Sequence, residues 1–199
     1  MDFLRRADTA PSRLAVFPGT FNPVTVAHLA LAKSALREAD EILFVLPRVF
    51  PHKPYSGASF EDRTAILLAA VDDEPRFSIG SSTGGLFAEI AAECREEYGP
   101  EVKLSFLCGA DAAHRIATWD YGDPATFARM MRQFDLLVAE RGDNFALPHR
   151  RLDLPGDYAH VSATEVRERI ARGENWEHLV PAPARDFVRR IYGSSTARP

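Results

Sequence analysis

Thr25 and His28 stand three residues apart, just after a Pro18-Gly19 turn and at the head of an Ala/Leu-rich run. Ser162, Thr164 and Arg167 occupy a similar place in VSATEVR, far along the chain. Both stretches sit where a helix would begin. A helix N-terminus offers unpaired N–H donors and the positive end of the helix dipole, so it suits an anion. An imidazole (His28), a threonine hydroxyl (Thr25) and two full positive charges (Lys53, Arg167) add donors of the kind that phosphate oxygens accept. Neither a G-x-x-x-x-G-K-[ST] loop nor a G-x-G-x-x-G turn is present. A nucleotide held here is held by another scheme.

The elements that position these residues can be read from periodicity. Leu14–Phe17 reads as a strand and His28–Ala39 as a helix. Ile42–Leu46 (ILFVL) is a continuous apolar run, as expected of a parallel strand covered on both faces. SFED at Ser59–Asp62 reads as a capping box, followed by Thr64, Leu67, Leu68 and Val71 at helical spacing. Phe77–Ile79 is a short strand, and Leu86, Phe87, Ile90, Ala91 and Cys94 mark a helix face. Leu104–Cys108 is a strand that ends at Gly109. Asp123-Pro124 starts a helix through Phe134, Leu136–Ala139 is the next strand, and Tyr158–Val161 is a short one running into the capping box SATE.

Strands alternating with helices imply βαβ units: a single α/β domain over 1–199, with a Rossmann-like, doubly wound parallel sheet and helices on both faces. Residues 1–12 and 193–199 are expected as loose ends. Ligands of such sheets bind beyond the carboxyl ends of the strands. The strand-end loops here are PGTFNPVTVAH, PRVFPHKPYSG, CGADAAHRIATWD, AERGD and VSATEVRER. Together they carry Gly, Thr, His, Lys, Asp, Trp, Arg and Ser. STGG at Ser82–Gly85 reads as a flexible turn.

Composition narrows the class. The chain has 199 residues, of which 46% are hydrophobic and 26% charged, and a formal net charge of -4. The acidic balance and the lack of a basic stripe argue against a nucleic-acid binder. No run approaches the length of a membrane helix, and MDFLRRADTAPSR lacks the apolar segment of a secretory signal. Cys94 and Cys108 have no metal-ligand spacing and read as buried thiols, which suits a cytoplasmic location. Oligomeric state is left open, with a homo-oligomer compatible.

GTFNPVTVAH resembles the G-x-F-x-P-x-[HT]-x-G-H signature of the nucleotidyltransferase α/β-phosphodiesterase superfamily, and VSATEVR resembles its second signature, I-S-S-T-x-I-R. The closer resemblance is to bacterial nicotinate or nicotinamide mononucleotide adenylyltransferases. PHK at Pro51–Lys53, GADAAHRIATW, VAERG and the closing RGENWEHLVPAPARDFVRRIYG are similar to further segments of that family, in the same order. The likeness runs from about Leu14 to Tyr192. This chain departs from the pattern at Thr25, where the adenylyltransferases it resembles usually carry His, at Ala27 in place of Gly, and at Ala163 in place of Ser. It departs again in GSSTGGLFAEI, where the family has a Thr-rich segment that reads the pyridine substituent.

The resemblance implies transfer of AMP from ATP to a mononucleotide, nicotinate mononucleotide first, with release of pyrophosphate and with Mg²⁺ accompanying ATP. It implies that His28, Thr25, Lys53 and Arg167 are catalytic, with Thr25 and His28 donating to ATP phosphates. It places Gly19, Thr20, Phe21, Gly109, Asp111, Arg141, Ser162 and Thr164 around ATP, and Lys53, Trp119 and Thr83 around the acceptor. No protein metal ligand is implied, and no nucleic-acid or membrane partner. Taken alone, His28 reads as a capping or half-buried histidine, Trp119 as core, and Lys53 and Arg141 as solvated charges. His52, His114 and Asp120 are neighbours without an assigned role. Two other readings stay beside this one: transfer to another phosphorylated acceptor or from CTP, and a nucleotide-binding homologue without catalysis.

Overall fold

The computed structural model describes residues 1–48, 55, 57–118, 124–139, 148–153 and 158–193. Seven strands form one sheet: β1 (Asp2–Arg5), β2 (Arg13–Pro18), β3 (Glu41–Pro47), β4 (Phe77–Ser82), β5 (Lys103–Gly109), β6 (Asp135–Ala139) and β7 (Arg150–Leu152). Their order is β1-β4-β3-β2-β5-β6-β7. All neighbours are parallel except β1, which runs antiparallel to β4. The chain winds outward from β2 through β3 and β4, then returns to β5 on the other side. The topological switch point therefore lies between β2 and β5, where such folds open a ligand crevice.

The helices are α1 (Val26–Ala35), α2 (Phe60–Val71), α3 (Phe87–Tyr98), α4 (Ala110–Thr118), α5 (Pro124–Met130), α6 (Ala163–Arg172) and α7 (Arg185–Gly193). They cover both faces. One core gathers Ala15, Phe17, Phe44, Leu46 and Ile79 of the sheet with Leu31, Ile66, Val166 and Val188 of α1, α2, α6 and α7. The other gathers Val16, Val45, Phe106 and Val138 with Ile90, Ala113 and Met130 of α3, α4 and α5. Successive strand residues point to opposite faces, so β2 and β3 feed both cores and read as unbroken apolar runs. The expected doubly wound α/β architecture is the one observed. No described helix is long and apolar enough to cross a membrane.

Several local expectations change. The opening residues are not loose: Asp2–Arg5 pairs along β4, and Ala7 N–H donates to Ser78 Oγ at 2.8 Å. Too short to show a period, this edge strand is fixed by its tertiary partner. Tyr158–His160 is a 3-10 turn, not a strand. α1 ends at Ala35, before the predicted Ala39. The buried side of α2 is Arg63, Ile66, Leu67, Ala70 and Val71, rotated from the predicted stripe to include an arginine. Residues after Gly109 fold at once into α4, where a loop is expected. The expected loose end at 193–199 lies, beyond Gly193, outside the described residues.

Candidate active site

The turn after β2 is held tightly. Gly19 N–H donates to the Val45 carbonyl of β3 at 3.0 Å. A β-carbon at Gly19 would lie 2.8 Å from Phe21 Cζ, so only glycine lets the ring sit there. Phe21 itself has φ of 44°, a left-handed conformation that a bulky residue rarely adopts. Its ring is 2% exposed and meets Phe17, Phe44 and His28 edge-on, the last at 5.4 Å between centroids.

α1 begins beside this ring. Thr25 is its N-cap, with Oγ1 accepting from His28 N–H at 3.4 Å. In return, Thr25 N–H donates to His28 Nδ1 at 3.0 Å, and Oγ1 lies 2.8 Å from the same nitrogen. An N–H can only donate, so Nδ1 is an acceptor and the neutral ring carries its proton on Nε2. Thr25 is fully buried. The resemblance makes it a donor to phosphate, but its hydroxyl is engaged inside the cap, so what this geometry offers is control of the half-buried His28 ring.

The second segment meets the first. Ser162 caps α6, its Oγ accepting from Glu165 N–H at 3.1 Å. Thr164 is exposed on the first turn. Arg167, one turn on, donates to the Asn22 carbonyl at 2.5 Å, to the Ala163 carbonyl at 3.1 Å and to Thr164 Oγ1 at 3.2 Å. Residues of the two distant signatures thus touch. Asn22 is nearly buried, and its Oδ1 accepts from Ala58 N–H and from the Tyr192 hydroxyl of α7. A cleft of about 620 Å³ opens beside Arg167 and Tyr192, toward Ser59 and Asp62 at the start of α2.

Two arginines bring charge here. Besides Arg167, Arg63 reaches up from α2, 3% exposed, and donates to the Thr20 carbonyl at 2.8 Å. Its guanidinium lies 4.8 Å from the Tyr55 ring centroid. Burial pushes the Tyr55 and Tyr192 hydroxyls above the ordinary tyrosine range, while the charges of Arg63 and Arg167 pull against it. Arg63 escaped the motif reading. The available signal was an arginine one turn into a capped helix, in line with Ile66 and Ala70.

Thr83, which the resemblance puts at the acceptor, is exposed just past β4, and its hydroxyl donates to Glu93 Oε1 of α3 at 3.2 Å. Buried Ser82 donates to the same oxygen at 2.8 Å. The STGG turn is further tied by Glu89, whose Oε2 accepts from Gly85 and Leu86 N–H. Gly109 ends β5 in register with Ala139, and Asp111 falls in the first turn of α4. Lys53, Trp119 and Arg141 lie outside the described residues, as do His52 and Asp120. The structure brings together Gly19, Thr20, Phe21, Thr25, His28 and Arg167, with Ser162 and Thr164 on the adjoining helix start.

The residues gathered here offer two helix N-termini, an imidazole and two guanidiniums. Among the described residues no three His, Cys, Asp or Glu side chains come together as a metal cage. This donor set matches phosphate oxygens rather than a cation.

A family model described as cytidylyltransferase-like matches residues 16–169. A protein named probable nicotinate-nucleotide adenylyltransferase from Treponema pallidum is 33% identical over 92% of this chain and 100% of its own length. One with the same name from Chromohalobacter salexigens is 32% identical over 92% of this chain and 97% of its own. The solved nicotinic acid mononucleotide adenylyltransferase of Plasmodium falciparum, complexed with NaAD, superposes with a TM-score of 0.71 at 17% identity, covering 89% of this chain and 95% of that one. At that identity the superposition speaks for the fold. The family model and the relatives, together spanning both signatures and the contact between Arg167 and Asn22, place this chain in the cytidylyltransferase-like family, among the nicotinate-nucleotide adenylyltransferases.

Proposed function

We propose that the protein transfers the adenylyl group of ATP to nicotinate mononucleotide and releases pyrophosphate, the step that forms a dinucleotide in NAD biosynthesis. A phosphate oxygen of the acceptor attacks the α-phosphorus of ATP. The bond from that phosphorus to the bridging oxygen breaks, and pyrophosphate carries the electron pair away. The nucleophile comes from the substrate, so the protein's task is to position the reactants and stabilise charge.

The residues divide that task. His28, fixed by Thr25 with Nε2–H as its donor, serves the phosphate chain at the α1 start. Ser162, Thr164 and Arg167 at the α6 start receive the departing pyrophosphate oxygens, where the helix dipole adds to the arginine charge. By the family resemblance, Lys53 would contact phosphate between the two substrates, Gly109, Asp111 and Arg141 would serve the nucleotide, and Trp119 and Thr83 the pyridine side. Magnesium arriving with ATP would supply charge neutralisation at the triphosphate, beside the donors at the α1 and α6 starts.

The observation that carries this reading is the bond from Arg167 to the Asn22 carbonyl, which closes the two signature segments into one phosphate cradle. The test is pyrophosphate release with ATP and Mg²⁺, supplying nicotinate or nicotinamide mononucleotide, with CTP as a parallel arm. Turnover with nicotinate mononucleotide and ATP is expected. Absence of turnover with either pyridine nucleotide overturns the acceptor assignment, and preference for CTP overturns the donor.

A further inference from the structure

Arg63 belongs to neither signature segment, yet among the described residues it is the more deeply buried of the two arginines that touch the cradle turn, 3% exposed against the half-buried Arg167. Burying a guanidinium carries a desolvation cost that must be offset by hydrogen bonds and close neighbours. Arg63 directs Nη1 to the Thr20 carbonyl at 2.8 Å and lays its guanidinium beside the rings of Tyr55 and Phe60 at 4.8 and 5.8 Å.

The next residue, Phe21, has φ of 44°. A non-glycine residue held there is strained and persists only where its surroundings over-determine it. Those surroundings are visible. Arg63 grips the carbonyl just before Phe21, and Arg167 grips the Asn22 carbonyl just after it. The peptide group is planar, so fixing the Thr20 carbonyl toward α2 turns the Phe21 N–H the opposite way. The Phe21 ring in turn bears on His28.

We infer that Arg63 is a positioning residue of the phosphate cradle: from α2 it fixes the Thr20 carbonyl, holds Phe21 in its left-handed conformation, and so sets the Gly19–Asn22 turn and His28 for the triphosphate. This inference rests on the reading of the turn as an ATP cradle.

The test compares the wild type with Arg63→Met and Arg63→Lys. Steady-state constants for ATP and for nicotinate mononucleotide are measured separately, with thermal unfolding and calorimetric binding of MgATP alongside. Misplacement of reacting groups by about 1 Å costs on the order of 10²-fold, so kcat/KM for ATP should fall by about 10- to 100-fold in Arg63→Met, with the acceptor KM within about threefold. Arg63→Lys keeps the charge but not the planar fork, so it should regain most of the melting temperature and only part of kcat/KM. If Arg63→Met does not fold, Arg63→Lys alone carries the comparison. Variants that melt earlier but keep wild-type kcat/KM for ATP per folded molecule make Arg63 merely structural and overturn the inference. Should the wild type bind ATP without turning over either mononucleotide, the proposed reaction fails alone. Arg63 is then judged on ATP affinity, where an unchanged Kd in both variants overturns it. A wild type that binds no ATP overturns both.

Discussion

The backbone N–H of Thr25 donates to Nδ1 of His28 at 3.0 Å, and the Thr25 hydroxyl lies 2.8 Å from the same nitrogen. One N-cap therefore sets both the start of α1 and the tautomer of the histidine that faces the cradle. His28→Ala should lower kcat by about 10²–10³-fold if Nε2–H stabilises charge on the phosphates, and should also lower the melting temperature, because the ring accepts from Thr25 N–H and packs on Phe21. Thr25→Val should cost about 1 kcal/mol through the lost cap and also lower kcat by loosening the ring, and Thr25→Ser should restore both. Pyrophosphate-release kinetics with thermal unfolding separates the effects. A Thr25→Val enzyme with wild-type kcat would show that the cap does nothing for catalysis.

Gly19 and Phe21 form a second fixed pair. The methyl of Gly19→Ala would sit 2.8 Å from Cζ and 3.0 and 3.1 Å from the two ε-carbons of a ring already packed against Phe17, Phe44 and His28. The ring has nowhere to move without displacing His28. Overpacking of this kind costs about 1–3 kcal/mol, and the same displacement should raise the KM for ATP. Urea midpoints and ATP saturation curves check the two halves of this expectation.

How far the sequence carried these features depends on the range of the interaction behind each. The parallel strands β2 and β3 were legible because both their faces are buried, which leaves unbroken apolar runs in Leu14–Phe17 and Ile42–Leu46, and β5 because Leu104–Cys108 is broken only at Ser105. The caps at Ser59 and Ser162 were legible because capping is local, between residues three apart. β1 was not, since Asp2–Arg5 is a strand only by virtue of β4 nearly eighty residues away. Nor was the role of Thr25, whose spacing to His28 fits a phosphate donor and a cap equally well until burial decides between them. Arg63 was hidden for the same reason: nothing adjacent in sequence marks Thr20, 43 residues earlier, as its partner.

Glu93 gathers the turn after β4, which is proposed to take the acceptor. Its Oε1 accepts from buried Ser82 at 2.8 Å and from exposed Thr83 at 3.2 Å. Removing that acceptor leaves the Ser82 hydroxyl proton without a partner, although its oxygen still accepts from Gly84 N–H, a loss of about 1–3 kcal/mol for a buried donor. Glu93→Ala should therefore lower the melting temperature and raise the KM for the mononucleotide while leaving that for ATP near wild type. Glu93→Gln, whose amide oxygen still accepts, should behave nearly as the wild type. Equal changes in both KM values would remove Thr83 from the acceptor side.

Cys94 and Cys108 are both buried and free, and burial pushes each thiol up to about 12. The thiolate is the reactive form, so both should resist a disulfide reagent at pH 8 in the folded protein. Titration should find no rapidly reacting thiol under native conditions and two in denaturant. A fast native reaction would place one of them at the surface.

At the end of the sheet opposite the cradle, Glu41 is fully buried, and its Oε1 accepts from the Tyr98 hydroxyl and from Ser78 Oγ, each at 2.6 Å. Thr9 donates to its other oxygen and so ties the opening segment to the same carboxylate. Burial first, then the bond to Glu41, raises the Tyr98 hydroxyl above its ordinary value of 10.0. The unfolded chain releases this proton near pH 10, whereas the folded chain keeps it. Above that pH the folded state thus binds more protons, and stability falls as pH rises; below it the contribution is fully present. Tyr98→Phe should lower stability at neutral pH by about 1–2 kcal/mol through loss of a charge-assisted bond. It should also flatten the alkaline decline, by at most one proton and by less where water screens the half-buried Tyr98. Urea midpoints from pH 8 to 11 read both effects, and parallel curves for the two proteins above pH 10 would mean that Tyr98 does not titrate with unfolding.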